Sequence, residues 1–176
     1  MTFDLTPEQR ALVASAATMT SLPRRALDAV LAIEERTALQ GSEDALAELG
    51  GRRHAQPLLM AAAAAIGIGR AAIAHAREWM KSNNVKPGPD ETVPHWAFAD
   101  GATDVEAARL LTYSAAQMLD RGENADDAIT RAHGFASNAA QRAVEAAVRV
   151  VGAAGYYKGS LLERLGHEAR ALSVGR

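Results

Sequence analysis

Apolar residues recur every three or four positions along most of this chain, and alternation with a period of two is not sustained anywhere. The pattern predicts helices and no strands. From Ala125 to Val151 the residues Ile129, Ala132, Ala136, Ala140, Val144, Ala147 and Val151 line one side of a long helix, and that side must be buried against partners. Gly152 and Gly155 end it, because glycine accepts the left-handed backbone that helix C-termini use, and a short helix restarts at Leu161. Upstream, an alanine-rich helix runs from about Pro57 to Lys81, and another from about Ala102 to Arg121 meets the last long one at Gly122. Pro94-His-Trp-Ala-Phe98 suits one further helical turn.

Nearer the start, Thr6-Pro7-Glu8 opens a helix that reaches about Met19, with threonine as the cap, proline in the first turn and Glu8 near the positive end of the dipole. Pro23 starts the next, whose apolar side is Leu27, Val30, Leu31 and Ile33, and Ser42-Glu-Asp begins a short third that Gly50-Gly51 terminates. Short connections set consecutive helices antiparallel. The expected fold class is therefore all-α, an up-and-down four-helix bundle over residues 52–176, with extra N-terminal helices over 1–51 packing on it. The exception is 82–90, a loop with two prolines, a glycine and two asparagines in nine residues. Gly67 and Gly69 each cost up to about 1 kcal/mol in an exposed helix, so they imply close approach of another helix.

Composition narrows the class further. A chain of 176 residues fits one domain, and although 48% of it is apolar, much of that is alanine and only 5% is aromatic, which suits closely packed helices. A formal net charge of -2, with both signs interspersed, favours neither nucleic acid nor an anionic membrane as a partner. There is no cysteine, which excludes disulfides and thiolate chemistry. The opening residues lack a basic lead and an apolar stretch of signal-peptide type, and the longest apolar run, 58–69, falls short of the roughly 20 residues of a membrane span. A soluble, cytoplasmic protein is expected.

Specific motifs add a resemblance. The turn Gly152-Ala-Ala-Gly-Tyr156, then Lys158, Leu162-Glu-Arg-Leu165 and His167-Glu-Ala-Arg170, resembles the C-terminal bundle of the acyl-CoA dehydrogenase family. Asp104 to Tyr113 is similar to the family's first helix after its cofactor loop, Gly67-Ile-Gly69 to the glycine-containing part of its long helix, and Phe3 to Leu12 to its N-terminal helix start. Full-length members also carry a β-sheet domain, for which no strand pattern occurs between Met19 and Arg52.

The resemblance also implies what the chemistry would need: a carboxylate to remove the substrate's α-proton and a flavin to accept the hydride. In most of the family that glutamate lies just beyond the segment equivalent to His167–Arg170, and here the sequence runs only to Arg176; the family's second position, at the start of the long helix, holds Pro57 and Leu58. The Arg-x-x-Phe-Gly loop that contacts the flavin's pyrophosphate region corresponds to Ser82–Lys86, without the arginine or the aromatic. Arg149 stands near the family's glutamine, and Ala153 replaces the second glycine of the turn, leaving Gly152 and Gly155 as degenerate cofactor positions. No cofactor is expected on this reading; FAD is the alternative.

Other candidates come from residue type and place. His54, after Arg52-Arg53, suits an acid or base with Arg53 for a carboxylate or phosphate; a solvated helix approach is the plain reading. His95 beside Trp96 suits a pocket, with tryptophan as a flat wall or as a plug on the bundle end. Glu106, Arg109 and Tyr113 share a helix face, for a substrate pocket or a buried ion pair. His75, His133 and His167 lack the pairing a metal site needs, so no metal is expected. Two roles follow: a self-associating dimer or tetramer, or partner subunit of a full-length homologue; or an enzyme using the vacated cleft for lyase, isomerase or cyclase chemistry on an acyl thioester or polyketide-like small molecule. FAD-dependent acyl-CoA oxidation with the flavin held at a subunit interface is the further alternative.

Overall fold

The computed structural model describes residues 26–40, 57–85 and 95–174, and in them every element is helical. They are α1 (Ala26–Gln40), α2 (Pro57–Ser82), α3 (His95–Asp120), α4 (Asp126–Val151), a 3-10 turn over Gly152–Tyr156, and α5 (Leu161–Val174). The helix expected over 6–19 and the one begun at Ser42 lie outside the described residues. α2 is the central element, packed against α4, α1 and α3. It is long and apolar enough to cross a membrane, yet 67% of its most apolar window is buried inside the bundle, so that hydrophobicity serves the core.

Glycine and alanine set the spacing. A Cβ on Gly67 would lie 2.5 Å from the carbonyl oxygen of Glu34 and 2.6 Å from Cβ of Thr37, so α1 rests on α2 backbone to backbone. A Cβ on Gly69 would meet Val105 Cγ2 at 2.6 Å and Ala140 Cα at 3.6 Å, where α3 and α4 approach. These contacts are what the two glycines imply in the sequence. Facing them, α4 buries Ala132, Ala136, Ala139, Ala140, Ala143 and Ala147, and side chains that short bring helix axes together.

Contact order along the helices gives the topology. Residue 101 meets 143, 69 meets 105 and 140, and 133 meets 172, so α2, α3, α4 and α5 alternate in direction. This is the expected up-and-down bundle. α1 is added parallel to α2: Glu34 and Thr37 lie over Gly67, while the Ala26 and Leu27 amides donate to the Asp120 carboxylate at 2.7 and 3.2 Å. Asp120, at the far end of α3, thus satisfies amides that α1 leaves open at its N-terminus.

α3 departs from expectation. It is one helix from His95, not a turn followed by a helix from Ala102. Gly101 reads as a break in sequence, but in place it is buried, with the position of its absent Cβ 3.4 Å from Ala143 Cα, so packing on α4 outweighs its low helix propensity. Gly122, at φ 74°, makes the turn into α4, whose first free amide donates to Asn124 Oδ1 at 3.1 Å.

α5 begins with a variant of the capping box, in which the glutamate reaches the amide of the residue before the serine cap. Ser160 Oγ accepts the Glu163 amide at 3.1 Å, and Glu163 Oε2 accepts the Gly159 amide at 3.0 Å, a bond that leads the influences lowering the Glu163 carboxyl below its usual range. Ser160 Oγ also donates to the Gly155 carbonyl at 2.9 Å, tying the helix to the turn before it. Ser160→Ala is expected to lower stability by about 1 kcal/mol in urea unfolding, with an unchanged slope. No change in midpoint would mean that the cap contributes nothing.

Candidate functional site

A glutamate on the apolar side of α1 is the centre of a buried charge network that joins three helices. Glu34 is 1% exposed. It follows Leu27, Val30 and Leu31 at helical spacing, so packing of those side chains on α2 and α3 carries the carboxylate inward with them. One oxygen, Oε1, lies 2.6 Å from Arg70 Nη1 on α2 and 2.9 Å from Arg109 Nε on α3. The other, Oε2, accepts the Tyr113 hydroxyl at 2.5 Å. Three helices therefore converge on one carboxylate.

The partners are themselves braced. Arg70 Nη1 also reaches Glu35 at 3.1 Å; Arg109 Nη1 donates to Glu106 at 2.8 Å and Nη2 to the Tyr113 oxygen at 3.1 Å. The Arg109 guanidinium also lies 5.5 Å from the Tyr113 ring centre. Arg109 Nε faces Glu34 as an ion pair without hydrogen-bond alignment.

These contacts shift two protonation equilibria. Burial, the largest influence on Arg109, opposes its charge; the carboxylates of Glu34 and Glu106 and the contact with Tyr113 outweigh it, and its pKa is raised. Burial also raises the Tyr113 phenol, and the Glu34 carboxylate beside it raises it further. Tyr113 therefore holds its proton more tightly folded than unfolded. Its contribution to stability is complete below the ordinary phenol pKa of about 10 and is lost as pH climbs from there towards the raised value, at up to about 1.4 kcal/mol per pH unit. Tyr113→Phe is expected to flatten the alkaline limb of the stability profile above about pH 10; identical limbs in wild type and variant would contradict the coupling.

Of the residues singled out in the sequence, Arg109 and Tyr113 are brought together, with Glu106, as their shared face predicts. Their buried partner is Glu34, which the sequence reading did not single out. Glu106 itself is 61% exposed, so its pair with Arg109 lies at the surface. Trp96 is 84% exposed in the first turn of α3, so it is not a buried plug on the bundle end, and it lines neither of the two grooves formed by the described residues. His95 opens the same helix, but its side chain is outside the described residues, as are Arg53 and His54. His133 is buried, with Nε2 3.2 Å from the Leu172 carbonyl, a tie from α4 to the end of α5.

The second place of interest is the turn after α4. Gly152 has φ 70° and ends the helix, as its sequence context predicts, whereas Gly155 is buried under Leu162, whose Cδ1 would be 3.2 Å from a Cβ there. Tyr156 stands outside beside a half-open groove of about 500 Å³ between α4 and α5, rimmed by Arg149, Glu145 and Arg170.

A family model for the acyl-CoA dehydrogenase C-terminal domain matches residues 40–176, which include α2 to α5 and this turn. The chain belongs to the acyl-CoA dehydrogenase family. Among curated family members, it is 38% identical over 115 residues to an acyl-CoA dehydrogenase of Bacillus subtilis, a match spanning 64% of this chain and 30% of that one. It is 30% identical over 115 residues to the caffeyl-CoA reductase-Etf complex subunit CarC of Acetobacterium woodii, again covering 64% of this chain and 30% of the relative. A chain from the solved structure described as the electron transferring flavoprotein of Acidaminococcus fermentans superposes with a TM-score of 0.60 at 25% identity, over 84% of this chain and 34% of that one. The acyl-CoA dehydrogenase-like chain thus spans about a third of the length of such relatives.

Proposed function

We propose that this acyl-CoA dehydrogenase-type bundle is a docking module, which associates with itself or with a full-length family homologue through the outward side of α3 and holds no flavin of its own. The observation that carries this reading is the exposed pair Leu110 and Leu111, each 44% accessible on the side of α3 turned away from the bundle. Trp96 precedes Leu110 by almost four helical turns and lies on the same side, with Asp100, Thr103 and Ala107 between them, so exposed apolar side chains stand at two places along one side of the helix. Side chains of this kind are concentrated in the buried centres of protein interfaces. The Acetobacterium relative, named as a subunit of a reductase-Etf complex, is in keeping with assembly in this family.

A flavin grip finds little support in the residues present. In the loop after α2, the Asn83 side chain and backbone both donate to the Trp79 carbonyl, at 2.8 and 3.0 Å, so its polar groups turn back onto the helix end. At the other family position, Gly155 is occupied from below by Leu162. The buried polar atoms without hydrogen-bond partners among the described residues, Thr37 Oγ1 and Arg109 Nε, belong to α1 and α3, away from both places. The start of α2, where one group of family members has its glutamate, presents Pro57 and Leu58. FAD shared across a subunit interface is the second reading, favoured by the groove beside Tyr156 with Arg149 and Arg170 on its rim.

An absorbance spectrum of the purified chain, taken with its mass by light scattering, tests the proposal. The expected result is a colourless protein heavier than one chain, or one that coelutes with a full-length homologue. A stoichiometric flavin band would overturn the flavin-free part, and a monomer that ignores the homologue would overturn the docking part.

A further inference from the structure

Between α2 and α3, against the end of α1, lies a second half-open groove of about 480 Å³, within the size range of small-molecule sites. Ile73 and Val105, both almost fully buried, form its apolar base together with short alanine side chains that leave the space open. Its charged lining is Arg70, Arg77, Arg109 and Glu106, three guanidinium groups against one carboxylate. We propose that this groove binds a small organic carboxylate, with the apolar body on Ile73 and Val105 and the carboxylate between Arg77 and Arg70. It is independent of the α3 docking surface.

The state of the three arginines selects the ligand. Arg109 is committed through all three nitrogens, to Glu34, Glu106 and Tyr113. Arg70 makes both of its ion pairs through Nη1, which leaves Nε and Nη2 without a partner among the described residues. Arg77 is exposed and has no bonded partner among them. Arg77 follows Arg70 by two helical turns, on the same side of α2. A planar guanidinium fork fits a carboxylate through two parallel bonds, and an adjacent apolar base favours an acid carrying a hydrocarbon portion over a free inorganic anion.

Glu106 is the built-in competitor. It is mostly exposed and held only by Arg109 at the groove's edge, a pairing that solvent makes weak. Its negative charge opposes a second carboxylate in the groove, so neutralising it must strengthen binding while neutralising Arg77 weakens it. Neither side chain is part of the packed core.

The test is calorimetric titration of the full chain with hexanoate, hexanol and hexyl phosphate. Saturable binding of hexanoate is expected, with hexanol at least about tenfold weaker because it cannot form the charge-assisted pair. Arg77→Gln should weaken hexanoate about tenfold, and Glu106→Gln should tighten it by about threefold. Absence of saturable hexanoate binding, equal affinity for hexanol, or indifference to both substitutions would overturn the proposal. Tighter binding of hexyl phosphate than of hexanoate would overturn its carboxylate assignment.

Discussion

Glu34→Ala is expected to lower the unfolding free energy by about 3 kcal/mol, at the lower end of what removing one partner of a buried ion pair costs. The lower end applies because Arg70 and Arg109 remain partly solvated and keep Glu35 and Glu106. Tyr113 is worse placed: it is buried, and its hydroxyl loses the acceptor at 2.5 Å. In a chain of this size the loss corresponds to a melting temperature lower by on the order of 10 °C. The damage should be local first. Hydrogen exchange is expected to accelerate in α1 while α2 and α4 keep their protection, because α1 joins the bundle through Glu34, the Asp120 cap and the Gly67 contact. Uniform acceleration would show that α1 is not a separable unit.

Gly67→Ala is expected to cost about 2 kcal/mol although it improves helix propensity by about 1 kcal/mol. The new methyl would lie 2.5 Å from the Glu34 carbonyl oxygen and 2.6 Å from Thr37 Cβ, and backbone cannot rotate aside as a side chain can. The same substitution two residues on should be milder. At Gly69 the close atom is Val105 Cγ2, a side-chain methyl and not backbone, which yields through a small shift of α3 because a helical valine keeps one rotamer, while Ala140 stays at ordinary contact distance. Gly69→Ala should therefore cost about 1 kcal/mol, half the loss at Gly67. Thermal melts of the two variants compare them directly: equal losses would mean that α1 moves off α2 at little cost.

The contrast between these glycines also shows what could be read in advance. That each lies at a helix crossing follows from the cost of glycine inside a long alanine-rich helix; which neighbour it meets does not. The buried side of α4 was legible because its alanines and valines keep step over seven turns. Arg109 and Tyr113 were legible as one face of α3. Glu34 was not, since it precedes Glu35 and Arg36 in what reads as a solvated charge run, and its partners are 36 and 75 or more positions away. The available signal was its register with Val30 and Leu27, which sets a carboxylate on the apolar side of α1. The start of α3 was misread for a different reason: Gly101 weakens local helix preference, and only its contact with Ala143 restores it. The plug expected of Trp96 failed because residue type suggests burial, whereas position on the helix decides it.

The proposed docking role rests on Leu110 and Leu111, on the side of α3 turned away from the bundle. Leu110 and Leu111 are exposed and outside the core, so replacing both by glutamate should leave helix content and melting behaviour nearly unchanged. Light-scattering mass of the wild type and of the Leu110→Glu/Leu111→Glu variant, each alone and mixed with a full-length family homologue, is the direct test. A complex is expected for the wild type in at least one of the two conditions and a lone chain for the variant in both; equal masses for the two proteins throughout would rule out docking through Leu110 and Leu111.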